Sequence, residues 1–145
     1  MGVPALLVDF PPKSSPEYAA RVRHLGRQWP VFWAVGHGFF KPISTLGLLG
    51  YSYTLWAAQG RGGGFGDWRL YALSALCHLV TMVHSAVNMQ PLNNKLDGLA
   101  SAKASKSDVD QAESFARSWM RWNTVRIAMP LIAGTSALWQ LVASH

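Results

Sequence analysis

Three sets of polar side chains recur at helical spacing along otherwise apolar stretches, and they are where chemistry could happen. At about 100° per residue, Thr81, His84 and Asn88 share one stripe, with His78 one turn behind. Trp119, Asn123, Arg126 and Pro130 fall at i, i+4, i+7 and i+11, and His37, Lys41, Ser44 and Tyr51 make a third seam. Neutral imidazoles at His37, His78 and His84 could ligate a metal or a haem iron. The spacing argues against it. His78 and His84 are separated by about 120° around a helix, and no His-x-x-x-His or carboxylate pairing occurs in the apolar runs, so no metal is expected. A Ser-His-Asp hydrolase fares worse, because Gly-x-Ser-x-Gly is absent and the acids lie outside the runs. The plain alternative is that these groups tie helices together or cap them. Ionisable groups inside apolar spans nonetheless default to a functional reading.

The elements that must position these seams are long and uncharged. Leu70 to Asn94 contains no Asp, Glu, Lys or Arg, which matches the roughly 20 residues that span hydrocarbon. Ile127 to His145 is a second such run, with Pro130 in its first turns. Gln28 to Gln59 carries one charge, Lys41, which is expected to face a polar cavity or to snorkel. The expected fold is therefore all-α, an integral-membrane helical bundle with spanning helices at 28–59, 69–92 and 124–144. A polar segment, 1–27, precedes them, and a cytoplasmic loop with a helix start fills 93–118, all within one domain over 1–145. Ser107, Asp108 and Asp110 look like that helix's N-terminal cap region.

Composition agrees with a membrane chain. Only 14% of the 145 residues are charged while half are hydrophobic and seven are Trp. The mean hydropathy of +0.10 averages polar flanks with apolar runs. The net charge of +6 raises the question of nucleic acid, but the cations flank apolar runs instead of clustering, so no nucleic-acid partner is expected. Lys13, Arg21, Arg23 and Arg27 share a side with Lys95, Lys103, Lys106, Arg117, Arg121 and Arg126, whereas the short loop holds Arg61 and Arg69. The positive-inside rule then places the N-terminus and the long loop in the cytoplasm. Trp29, Trp33, Trp119 and Trp122 read as one interfacial belt, and Trp56, Trp68 and Trp139 as the other. Cys77, the single cysteine, reads as a buried structural thiol. "GRGGGFGD" lacks the Lys-Ser/Thr of a phosphate loop and reads as a flexible turn. No cleaved secretory signal is expected from "MGVPALLVDFPPKSSPEY".

Two further stretches carry a resemblance. "QPLNNKLDGLA" followed by "WMRWNTVRIAMPLIAG" is similar to the small membrane proteins of the anthrone oxygenase family, through Pro91, Asn93 and Leu96 and then Trp119, Asn123 and Arg126. "QWPVFWAVGHGFFKP" also fits, and the likeness covers roughly Arg27 to Gly134. The resemblance implies a bundle of four spanning helices where three are expected here. On that count the chain is a piece of a longer one, starts late, or completes its bundle as a homo-oligomer. The host membrane is expected to be the endoplasmic reticulum or a vesicle.

The resemblance also implies an oxidoreductase, a monooxygenase of aromatic polyketide metabolism. It would convert an anthrone to the anthraquinone with dioxygen as co-substrate and no metal, flavin or other cofactor. Such chemistry needs a base at the activated methylene, donors for the developing oxyanion and an apolar slot for flat rings. His84 is the candidate base, with His78 and His37 as rivals. Arg126, Asn123 and Asn93 would stabilise the oxyanion. Trp119 and Trp122 would stack on the rings, and Asn88 and Tyr51 would complete the substrate pocket. A membrane scaffold or carrier for hydrophobic intermediates, or a haem-binding membrane protein, are the alternatives. The partners expected are a hydrophobic anthrone and membrane lipid.

Overall fold

The structure is a computed structural model and describes residues 3–60 and 66–143. The turn expected in "GRGGGFGD" and the residues at both ends of the chain lie largely outside those described. The described residues form helices joined by turns, with no strand among them. A short α1, Val3–Leu6, precedes α2, Tyr18–Gly60. Then α3, Trp68–His84, runs through a π-helical segment, Ser85–Met89, into α4, Gln90–Gly98. The last helix, α5, is Lys106–Ala143.

Several boundaries differ from those read in the sequence. The segment 1–27 is not merely a polar leader, because α2 starts at Tyr18. Its charges conceal a stripe: Tyr18, Val22, Leu25 and Trp29 recur at i, i+4, i+7 and i+11 and are all buried, while Arg23 and Arg27 point outward. The amides after Met89 do not end a helix either. Pro91 enters at the first turn of α4, where its missing N–H leaves no bond unmade, and the π segment before it absorbs the change of pitch. The 93–118 segment is helix at both ends, not a loop. Ser105 is the cap of α5: its hydroxyl accepts the Asp108 N–H at 3.0 Å and donates to Asp108 Oδ2 at 2.6 Å. Pro130 lies inside the 38-residue α5 rather than near a helix start.

The chain forms two compact units. One joins the chain up to Gly38 with Val87–Asn123; the other joins Phe39–Ala86 with the chain from Thr124 on. The first has an ordinary apolar core. The α2 stripe meets Met89, Leu96 and Leu99 and, from α5, Ala112, Phe115, Ala116 and Trp119, the last four again at i, i+3, i+4 and i+7. Gly26 lets α2 approach the backbone of Leu99 and Ala100, where an added Cβ would lie 2.7 Å from the Leu99 carbonyl carbon. The Tyr18 hydroxyl donates to the Val109 carbonyl at 3.1 Å and so ties the start of α2 to α5. Burial, with Glu113 and Asp110 nearby, pushes that phenol's pKa above its ordinary value.

The second unit is polar inside and apolar outside. Its buried side chains are Ser44, Ser74, His78, Thr81, His84 and Gln140, joined by the small residues Ala57, Ala75, Cys77 and Ala133. Leu46, Leu49, Leu76, Leu79, Val83, Leu131 and Leu138 face outward. Two of the buried hydroxyls have backbone partners. Ser74 Oγ reaches the Leu70 and Ala133 carbonyls at 2.9 and 3.1 Å, and Thr81 Oγ1 donates to the Cys77 carbonyl at 2.9 Å. Of the three expected spans, one helix among the described residues, the continuous Trp68–Gly98, is long and apolar enough to cross a membrane.

Helix α3 begins at a side-chain cap. The Asp67 carboxylate accepts the Arg69 N–H at 2.9 Å. Asp67→Ala is expected to lower stability by about 1 kcal/mol, read as a fall in the thermal midpoint of the helical circular-dichroism signal. An unchanged midpoint would mean that this cap is dispensable.

Candidate functional site

In the first unit, two residues of the sequence motifs meet. Asn93 on α4 and Trp119 on α5 are 26 positions apart, and the Trp119 indole N–H donates to Asn93 Oδ1 at 2.8 Å in a buried setting. An indole nitrogen can only donate, so the bond fixes which end of the Asn93 amide is oxygen and leaves its NH2 group to serve elsewhere. Trp29 packs edge-on against Trp119, with ring centroids 5.2 Å apart and planes at 89°. Trp29 and Trp119 are thus core residues and not belt residues, whereas Trp33 and Trp122 are exposed.

Beside this cluster lies a cleft of about 260 Å³, just below the ~300 Å³ at which small-molecule sites usually begin. One wall is aromatic: Trp29 and Trp33, four apart on α2. The other is polar: Gln90, Asn93, Asn94 and Asp97, at i, i+3, i+4 and i+7 on α4. Gln90 Nε2 donates to Asn94 Oδ1 at 2.9 Å, which leaves the Asn94 NH2 as a further donor. The sequence reading missed Trp33, Gln90, Asn94 and Asp97 as site residues. Their signal was there, in the helical spacing of 90, 93, 94 and 97, and was masked by reading the amides as a helix end.

The remaining expected site residues separate. His37 is exposed and stacks on Trp33, with centroids 4.7 Å apart and planes at 23°. Asn123 is half-buried, and its Oδ1 has no hydrogen-bond partner among the described residues. Asn88 is half-buried in the π segment and Trp122 is exposed. In the second unit His78 is buried, stacked on Tyr51 with centroids 5.6 Å apart. A Cβ at Gly47 would lie 2.8 Å from its Cδ2, so glycine makes room for that ring. His84 is also buried, at the last position of the same helix. The Arg126 guanidinium lies over the Phe40 ring, 4.8 Å from its centroid, a pairing that keeps a cation beside an apolar surface. Of the third seam, Ser44 is buried and Tyr51 half-buried, while Lys41 is exposed. Among the described residues, no three His, Cys, Asp or Glu side chains gather as a metal cradle would require.

These features define an all-helical protein with one conventionally packed unit and one whose polarity is inverted. A model of the anthrone oxygenase family matches residues 29–136, about three quarters of the chain, and the chain belongs to that family. Among curated proteins it is similar to monooxygenase hypC of Dothistroma septosporum, 30% identical over 106 residues, or 72% of this chain and 56% of that one. The chain thus spans about half the length of that relative. No solved structure matches it.

Proposed function

We propose that this chain carries the machinery of a membrane-embedded oxygenase that converts a hydrophobic polyketide anthrone to its anthraquinone. In this reading dioxygen is the co-substrate and no metal or flavin takes part. The observation that carries it is the buried bond between Trp119 and Asn93, which joins the two motifs characteristic of the resemblance at the edge of an aromatic and amide-lined cleft. The reaction balances without a reductant. The methylene loses a proton to a base; the carbanion passes an electron to dioxygen; recombination and reprotonation give a hydroperoxide; and loss of water leaves the quinone carbonyl. One oxygen atom ends in the product and the other in water. Amide groups of the kind found at Asn93 and Asn123 favour the negative oxygen that forms when the proton leaves.

The membrane is part of the same proposal. The second unit buries hydroxyls and imidazoles and turns leucine and valine outward, the reverse of what water selects and what hydrocarbon permits. Its three helical stretches, 39–60, 68–86 and 124–143, are each close to the roughly 20 residues of a span. On this division Lys41 stands near the end of a span instead of within one, where a lysine snorkels at little cost. Membrane anchoring suits flat, poorly soluble anthrones, which partition into lipid.

The test is direct. Purified protein in detergent, after exhaustive chelation, is given an anthrone such as emodin anthrone. Dioxygen uptake and quinone formation are expected to exceed a heat-denatured control by about tenfold or more, well within the contribution of a positioned base, with one dioxygen used per anthrone. Equal rates from protein verified as helical and monodisperse would leave a carrier of hydrophobic intermediates. Activity lost on chelation and restored by a metal would overturn the cofactor-free mechanism.

A further inference from the structure

We propose that the cleft between α2 and α4 is the binding site for a flat phenolic ring system, and that Asp97 is the group that takes the substrate proton. The second half rests on the oxygenase reading; the first does not.

The argument for binding is the chemistry of the two walls. Trp33 presents exposed indole surface on which a planar ring can lie, and the buried Trp29, one turn before it on α2, backs that wall. Opposite, the α4 stripe carries both kinds of polar atom. Its donors are the NH2 groups of Asn93 and Asn94, whose oxygens are already engaged by Trp119 and Gln90. Its acceptors are Gln90 Oε1 and the Asp97 carboxylate. A phenol both donates and accepts, and a ring carbonyl accepts, so a hydroxylated polycyclic ketone matches this stripe where a plain hydrocarbon would not. The Trp119 bond holds Asn93 in one orientation, which prepares the donor before any ligand arrives.

The argument for Asp97 is composition. Among the residues lining the cleft it is the one ionisable group. As a carboxylate it accepts a methylene proton; the electron pair left on carbon delocalises onto the ring carbonyl oxygen, which the amide donors of α4 can hold. His37 shares this unit but does not line the cleft, and His78 and His84 belong to the other unit.

Two measurements on the full chain separate the halves. Binding is read with emodin, an air-stable anthraquinone, by quenching of tryptophan fluorescence and by equilibrium dialysis in detergent. Trp33→Ala is expected to weaken binding about tenfold, in line with one lost aromatic stacking contact, while Trp139→Ala, an exposed position in the other unit, binds like the wild type. Unchanged affinity in Trp33→Ala, with its helical signal intact, overturns the site. Proton removal is read under argon, in deuterium oxide, as exchange into the anthrone methylene above the buffer rate. Asp97→Asn is expected to reduce that excess about 100-fold, with His84→Gln leaving most of it. The reverse order overturns the role of Asp97. Exchange at wild-type rate in protein that forms no quinone in air would uphold the cleft and its base and remove the oxygenase reading alone.

Discussion

Trp119→Ala is expected to cost about 3–5 kcal/mol, the range for a large aromatic side chain removed from a packed core. The ring is buried against Trp29, and its N–H ends on Asn93. The substitution therefore opens a cavity, breaks an edge-to-face pair and leaves the Asn93 oxygen buried without its donor. Trp119→Phe keeps most of the volume and loses the hydrogen bond, so it is expected to cost about 1–3 kcal/mol. Both are read from the thermal or denaturant midpoint in detergent. The pair distinguishes a core tryptophan from one in an interfacial belt. A belt residue would tolerate alanine with under about 0.5 kcal/mol of change, and that result would take Trp119 out of the core.

Gly26→Ala is the second large effect, and its sign is informative. In the interior of an exposed helix, glycine to alanine gains up to about 1 kcal/mol. At Gly26 the new methyl would instead meet the Ala100 amide nitrogen and the Leu99 carbonyl carbon, both main-chain atoms that cannot rotate away. Overpacking of this kind costs about 1–3 kcal/mol or more. The expected outcome is a lower midpoint, with the loss concentrated in the first unit: faster hydrogen exchange at Val22, Leu25 and Leu96 than at Thr81. A raised midpoint would mean that α2 and the Leu99–Ala100 backbone are not in close contact.

The candidate site was partly legible in the sequence. Asn93 and Trp119 were identified by motif and meet in the structure, while Asp97 and Asn94, one to four residues further on, were passed over. The reason is physical. A proline followed by two asparagines has the propensity of a helix end, and only the π segment Ser85–Met89 lets α3 continue through it into α4. Likewise Tyr18, Val22 and Leu25 stood in a charged stretch whose helical stripe is visible only once the intervening arginines are allowed to point outward.

What the sequence by itself determined is the helical class, because long runs without charge and without strand alternation leave little else. It also determined the family, since the spacing from Pro91 to Arg126 is a linear property of the chain. The tertiary structure decided which side of each helix is inside. Periodicity reveals that a helix has two faces, but the same Leu and Val stripe serves a core in water or a surface in lipid. Only the packing showed that Val22 and Leu25 face inward in one unit, while Leu76, Leu79 and Val83 face outward in the other and leave Ser74, His78, Thr81 and His84 buried. It decided the cleft for the same reason: a wall of indoles from residues 29 and 33 and a wall of amides and a carboxylate from residues 90 to 97 become one site only when folding sets α2 against α4.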